Sequence, residues 1–301
     1  MVAPRGILLV DKPTGPTSHD LVAAVRRGAR LKRVGHAGTL DPLATGLLVI
    51  CLGAATRLSE YLAGKDKRYT ATIRLGQTTD TYDAQGEVLS ESVALPDQPA
   101  FAAALARFAG AQQQVPPAYS AIKRGGQKAY DLARRGEEVV LEPRAVHFYA
   151  LALVDWQPPL AVVEVHCSAG TYIRSLAHDL GQALGCGAHL AALRRTASGA
   201  LRVEDAVPLA TLQAAFAAGD WAHYLRPPDA AVPDWPAVRL DVAGCARVER
   251  GQSVPLDPAI AAASGKLARA YNPAGEFFAV LRAEPEAGVW RPDKVFSDQS
   301  A

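Results

Sequence analysis

Hydrophobic positions along this chain change their period from segment to segment, and each period predicts an element. Leu47-Leu48-Val49-Ile50-Cys51-Leu52 is apolar without alternation, the pattern of a strand buried on both faces. Ile7 to Val10 reads as a shorter strand, closed by Asp11-Lys12-Pro13 and the turn residues Thr14-Gly15-Pro16. Tyr69 to Leu75 alternates and carries β-branched residues, which predicts a half-buried strand. Val146 to Trp156 and Ala161 to Cys167 stand at hairpin spacing around Gln157-Pro158-Pro159, and His189 to Arg195 reads as a further strand. Helical spacing appears at Leu21, Val22, Val25 and Ala29, behind Thr17 or Ser18 as cap and running to about Arg30. Further helices are predicted over Thr56–Leu62, Ala100–Phe108 (ended by Gly110), Tyr172–Leu184 with Ile173, Leu176, Ala177 and Leu180 inward, and Pro208–Ala218. Thr78 to Gly86 reads as a polar loop. Hairpins outnumber β-α-β units, so the expected class is α+β with a largely antiparallel mixed sheet and flanking helices.

Two stretches break this pattern. Residues 112–144 hold Pro116-Pro117, adjacent glycines, a short helical stretch from about Lys128 to Arg135 and an excess of Lys and Arg. They read as a basic excursion suited to an extended anionic partner, with a plain surface insertion as the alternative. Arg226 to Pro236 is a proline-rich boundary. Beyond it, short runs such as Leu267–Tyr271 and Glu276–Leu281, punctuated by Gly and Pro, predict a small all-β module. The expected division is residues 1–228 and 237–301.

Composition narrows the function classes. With 49% hydrophobic and 21% charged residues in 301, the chain reads as an ordinary globular protein. A net charge of +2 excludes polyanion binding by bulk charge, so the local clusters carry that question. These are Arg26-Arg27, Arg30 to Arg33, Lys65 to Arg68, Lys123-Arg124, Lys128, Arg134-Arg135 and Arg194-Arg195, each read singly as a solvated face. No run approaches the ~20 apolar residues of a membrane span. The cysteines at 51, 167, 186 and 245 are too dispersed for a disulfide framework, and Cys186-Gly187-Ala188-His189 lacks the second half of a metal site. A reduced cytoplasm and a monomer are the expectations.

The candidate chemistry centres on Gly35-His36-Ala37-Gly38-Thr39-Leu40-Asp41-Pro42-Leu43-Ala44-Thr45-Gly46. Pro42 biases Asp41 toward an extended backbone, and the glycines permit angles that a side chain forbids. A carboxylate held stiffly before a buried strand suits a nucleophile or a general base, while Asp-Pro between glycines is also ordinary turn chemistry. No phosphate loop, dinucleotide fingerprint or metal cluster is legible, so no cofactor is expected.

Taken together, these pieces resemble a known family. Leu9 to Pro13, Gly35 to Gly46, Lys67-Arg68-Tyr69, Leu75 to Thr81, Cys167 to Leu176, Gly185 to Leu190 and Leu193-Arg194-Arg195 are similar, in order, to motifs of the TruB-type tRNA pseudouridine synthases. The resemblance implies a pseudouridine synthase core, a C-terminal β module of the RNA-binding PUA class, and isomerisation of uridine 55 in the T-loop of tRNA. It further implies Asp41 as the catalytic aspartate, Tyr69 as the aromatic stacked on the flipped base, and Arg174 as the partner of the acid. Tyr172 and Leu193 would line the pocket, His36 would help displace the base, Lys12 would support the pocket, and Asp83 would be a second partner for Arg174. Ala37 departs from the threonine of many members. An RNA-folding protein without catalysis, a synthase working in guide-RNA particles and a glycoside hydrolase are the rival readings. The guided type carries lysine-rich tails that this chain lacks, and no second catalytic carboxylate is evident for a hydrolase.

Overall fold

The computed structural model describes residues 4–120, 123, 124, 127, 128, 135, 141–257, 260 and 266–296. Its strands are β1 (Gly6–Lys12), β2 (Val34–His36), β3 (Thr45–Leu52), β4 (Lys67–Leu75), β5 (Gln77–Thr79), β6 (Val88–Glu91), β7 (Gly110–Gln114), β8 (Lys123–Arg124) and β9 (Gln127–Lys128). They continue as β10 (Arg144–Gln157), β11 (Leu160–Cys167), β12 (Ala188–Ser198), β13 (Leu201–Arg202), β14 (Val207–Pro208), β15 (Ala237–Arg239), β16 (Val254–Pro255), β17 (Leu267–Tyr271), β18 (Phe277–Glu284) and β19 (Val289–Val295). The helices are α1 (Ser18–Gly28), α2 (Ser59–Ala63), α3 (Gln98–Ala106), α4 (Ile173–Ala183), α5 (Leu209–Ala218) and α6 (Val242–Glu249).

One large sheet runs β14-β1-β3-β12-β4-β11-β10-β7, with β13 on β12 and β2 on β3. Its pairings are antiparallel except for β1 with β14 and β12 with β3, as the hairpin-rich pattern predicts. The two unalternating apolar strands lie where both faces are covered. Leu8, Val10, Leu48 and Ile50 face one core with α1, α3, α4 and α5. Ile7, Leu9, Leu47, Val49 and Cys51 face a second core with Leu58, Leu62, Phe277, Val280 and Phe296. Alternation therefore separates two interiors here, rather than core from water. On β4 and β11 only one face is covered, so Arg68, Arg74 and Glu164 stay exposed and the half-buried pattern appears.

Local chemistry sets the ends of the helices. Thr17 and Asp20 form a reciprocal capping box on α1, which leaves Ser18 free for another use. Asp97 caps α3 through Ala100, so that helix starts earlier than its apolar residues suggest and ends at Ala106. The helix expected over 56–62 divides into a 3-10 turn at Gly53–Leu58 and the short α2. The loop expected over 78–86 begins as β5, which pairs with β6 in a separate hairpin. Of the helix expected from about Lys128 to Arg135, Lys128 lies in β9 and Arg135 in a turn, and residues 129–134 lie outside the described residues.

The C-terminal module is a five-stranded sheet, β15-β17-β18-β19-β16, but it also contains α6. That helix is capped by Asp241, whose carboxylate accepts from the Gly244 N–H, and its single buried residue is Val248. So weak an apolar stripe explains why the pattern reads as all-β. Arg5 and Arg57 donate to the carbonyls of Phe296 and Val295 at 2.7 and 2.6 Å, Tyr61 bonds Asp293, and Lys294 pairs with Glu60, fastening the module to the back of the large sheet.

Gly46 marks where β3 meets β12. Its φ is +94°, and a Cβ there would sit 2.3 Å from the Arg195 carbonyl oxygen. Gly110 has φ +84° with nothing within 4 Å. Gly46→Ala is expected to lower unfolding free energy by roughly 3 kcal/mol, and Gly110→Ala by roughly 1 kcal/mol, in urea denaturation. Equal losses would show that steric crowding at the β3–β12 contact contributes nothing.

Candidate active site

The turn from Gly38 to Ala44 carries Asp41, and almost every carbonyl in it has a donor. Arg195 reaches over from β12, giving Nη2 to Gly38 O at 3.1 Å, Nη1 to Thr39 O at 3.4 Å and Nε to Leu47 O at 2.7 Å. Ser18 Oγ donates to Leu40 O at 2.9 Å and accepts from Leu40 N at 2.8 Å. The Asp41 carbonyl accepts from Ala44 N, and the Leu43 carbonyl from Thr14 Oγ1. Lys12 Nζ donates to Pro13, Pro42 and Ala44 at 3.0, 3.3 and 2.6 Å, while Gly15 N also bonds the Pro42 carbonyl. Lys12 and Arg195 are buried, so both cations act inside the protein. Lys12 therefore supports the turn from below rather than lining its open side.

Above the turn stands Arg174, in the first turn of α4. Its Nε lies 2.9 Å from Asp41 Oδ2 but off the N–H axis, an ion pair rather than a directed hydrogen bond. Nη1 meets Asp83 Oδ2 at 3.5 Å and Thr81 O at 3.2 Å, and Nη2 donates to Tyr119 O at 2.9 Å. The guanidinium is held on every side. Its side chain is 7% exposed and that of Asp41 41%, so the acid faces solvent while its partner does not. Asp83 is buried, fixed by Thr81 Oγ1 at 2.8 Å and Gln85 N at 3.0 Å. The loop presenting it is packed by Tyr82, at φ +63°, whose ring stacks on His178 of α4 at 3.8 Å.

Tyr69 lies opposite Arg195 on the β4–β12 ladder, and Leu193 is one same-face step away, opposite Ala71. Tyr172 directly precedes α4. Burial raises both phenols, against Arg195 at Tyr69 and against Ser120, Arg144 and Arg174 at Tyr172, so both stay neutral at pH 7. His36 sits on β2, edge-on to His19 at 5.4 Å, with Nδ1 buried and lacking a hydrogen-bond partner among the described residues. Burial first, then the neighbouring His19 and Arg195, hold His36 below its ordinary range and therefore neutral. Burial draws Lys12 down to about 8, with Asp41 opposing.

The structure thus brings Asp41, Arg174 and Asp83 into one ion-pair network, flanks it with Tyr69 and Tyr172, and sets Lys12 behind it. Several cations read as solvated clusters are committed elsewhere. Arg195 clamps the turn, and Arg194 pairs with both oxygens of Asp11 at 3.0 and 2.7 Å. Lys67 is buried on the carbonyls of Leu62, Ala63 and Lys65. Ser18, Arg195 and Gln114 escape a reading of local pattern, although Arg195 shares a strand face with buried Leu193, a signal of an inward arginine. His189 and Cys186 are buried as packing, with His189 Nδ1 3.1 Å from the Gln77 carbonyl. Among the described residues no His/Cys/Asp/Glu group is arranged to hold a metal ion.

Lys12→Met would leave the Ala44 and Pro13 carbonyls without this donor. The expected loss is roughly 2–4 kcal/mol of stability, read by urea denaturation; a change below 0.5 kcal/mol, a typical surface effect, would show that the ammonium does not hold the turn. A second expectation concerns acid. His36, His178 and His189 all titrate below the ordinary 6.5 because of burial. Below that pH the unfolded chain binds protons that the native histidines refuse, so stability falls as pH falls. Asp179, pushed up to about 6 by burial, opposes this, since its native carboxyl takes a proton before the unfolded one. His178→Gln is expected to flatten the loss between about pH 7 and pH 5 in pH-dependent melts, and an unchanged slope would contradict the assignment.

Comparison with known proteins bears on the family and the fold. Residues 26–173 match the family described as "TruB family pseudouridylate synthase (N terminal domain)", and residues 174–232 match "tRNA pseudouridylate synthase B C-terminal domain". The chain is 49% identical over 96% of its length to a tRNA pseudouridine synthase B of Burkholderia lata, covering 89% of that protein. It is 44% identical over 97% of its length to one of Cupriavidus metallidurans, covering 94% of it. Among solved structures it is similar to a Cbf5-Nop10-Gar1 complex, with a TM-score of 0.74 and 27% identity over 97% of this chain and 85% of that one. An H/ACA RNP bound to a substrate RNA containing 2'-deoxyuridine gives a TM-score of 0.73 and 25% identity over the same shares of each chain. This chain belongs to the TruB family of pseudouridylate synthases.

Proposed function

We infer that this chain converts uridine 55 in the T-loop of tRNA to pseudouridine. The reaction breaks the N1–C1′ bond, turns the uracil and joins C5 to C1′. A proton leaves C5 and N1 gains one, so nothing is oxidised and no atom is added. The observation that carries this reading is a half-exposed carboxylate, Asp41, on a turn whose carbonyls are hydrogen-bonded, paired with the buried Arg174 and flanked by two neutral tyrosines.

In this reading Asp41 is the catalytic carboxylate, acting either on C6 of the base or on the C2′ proton, with Arg174 paired to it at 2.9 Å. Tyr69 offers a face for the displaced uracil, a stack worth roughly 1–3 kcal/mol toward the cost of flipping. Leu193 and Tyr172 bound the same pocket, and Asp83 holds Arg174 from its far side. His36, neutral and at the rim on β2, opens the T-loop stack by shape rather than by proton transfer. The exposed Arg27, Arg30 and Lys32 beside β2 suit phosphates of a folded RNA loop, which is recognised largely by shape. The division into a catalytic part, 1–228, and a PUA-like RNA-binding part, 237–301, the monomeric state and a cytoplasmic location belong to the same proposal.

Pseudouridine formation in a synthetic T-arm hairpin tests it. Wild type is expected to give product, Asp41→Asn none with hairpin binding retained, and His36→Ala a slowed but measurable single-turnover rate. Tight binding without product from wild type would favour an RNA-folding role. Equal loss in the Asp41 and His36 variants, with both folded, would remove the steric role of His36.

A further inference from the structure

Gln114 ends β7, is buried, and spends both ends of its side-chain amide on one residue. Its Oε1 accepts from Tyr172 N at 2.8 Å and its Nε2 donates to Tyr172 O at 2.9 Å. Tyr172 is the residue at which the chain turns into α4, and no side chain caps that helix. The amide of Gln114 therefore fixes the two peptide planes that set the start of the helix. The segment that follows Gln114 continues along the same turn. Ser175 Oγ donates to Val115 O at 2.8 Å, and Arg174 Nη2 to Tyr119 O at 2.9 Å.

We propose that Gln114 is a positioning residue for the isomerisation: by holding the backbone on both sides of Tyr172 it aims the Tyr172 ring and, two residues on, the Arg174 guanidinium at Asp41. This rests on the reading of the site given above. Nothing about Gln114 touches the reacting atoms; it acts through the phase of α4. A misplacement on the order of 1 Å at a catalytic group can cost about 10²-fold in rate, and that is the scale at stake.

The test compares single-turnover rates, hairpin affinity and melting temperature of wild type, Gln114→Leu and Gln114→Glu on the same T-arm hairpin. Gln114→Leu removes both bonds and is expected to slow product formation about 10²-fold, with Kd within about threefold of wild type. Gln114→Glu supplies a discriminating readout. Ionised, the glutamate turns an acceptor toward the Tyr172 carbonyl; protonated, it regains a donor and mimics the amide. Burial and that carbonyl favour the protonated form, so its rate relative to wild type is expected to climb as pH falls from about 8 to about 6. Taking the ratio at each pH removes the pH dependence shared with wild type, to which Asp41, Asp83 and Tyr172 belong; Arg174 and Arg144, which pairs with Gln114 across the ladder, oppose protonation of the new glutamate and move the pH at which the ratio climbs without abolishing the climb.

Rates within about threefold of wild type in both variants would overturn the proposal. So would a joint collapse of rate, affinity and melting temperature, which marks a residue that only holds the fold. Should Gln114→Leu fail to fold, Gln114→Glu decides alone, a pH-independent ratio counting against the proposal. Absence of product from wild type would instead bring down the reading of the site and this inference with it.

Discussion

Two buried cations and one stretch of carbonyls make the rest of this site possible. Lys12 from β1 and Arg195 from β12 enter the Gly38–Leu47 stretch from different strands and bond its carbonyl oxygens, with Ser18, Gly15, Thr14 and Ala44 completing the set. A buried carbonyl without a partner costs about 1–3 kcal/mol, so a turn that satisfies nearly all of them has one low-energy shape. Asp41 can then be partly open to solvent without being mobile. The rigidity belongs to its backbone, and the exposure to its side chain.

The charges follow from the same arrangement. Arg174 faces two carboxylates, Asp41 and Asp83, and Lys12 lies behind the turn that carries the first. With buried Arg195 on the same turn, three cations stand against two anions, so the buried part of the site keeps a small positive excess. Burial keeps Tyr69, Tyr172 and His36 uncharged. The exposed Arg27, Arg30 and Lys32 stand outside this network, so local charge differs from what the small net charge implies.

The large sheet assigns different tasks to its two halves. Around β1 and β3 both faces are sealed, one by helices and the other by the C-terminal module, and this rigid half presents the Asp41 turn. Around β4, β11 and β10 one face is open, and the covered face carries Tyr69 and the packing under α4. Arg174 reaches Asp41 across the join between the halves, which is why the start of α4 needs its own fastening by Gln114 and Val115.

Much of this was legible in the order of residues. Period and caps located β1, β3, α1, α4 and the 146–167 hairpin, because those elements bury a stripe or a face that leaves its spacing in the chain. The glycine-flanked Asp41-Pro42 turn showed a stiff carboxylate, and the family resemblance paired it with Arg174, Tyr69 and Tyr172. The β5–β6 hairpin and α6 were not legible, since β6 is exposed throughout and α6 buries only one residue. Nor were the tasks of the cations. Arg194, Arg195 and Lys67 look alike as solvated charges in a list of residues, yet one is paired, one clamps a turn and one caps a helix end. Sequence alone determined which segments are helix or strand and that a rigid acid exists, because those depend on neighbours a few positions away. Only the tertiary structure decided which cation serves that acid and which merely holds its turn. Arg195 meets Leu47 across 148 positions of chain, and only the folded sheet brings them within hydrogen-bond reach.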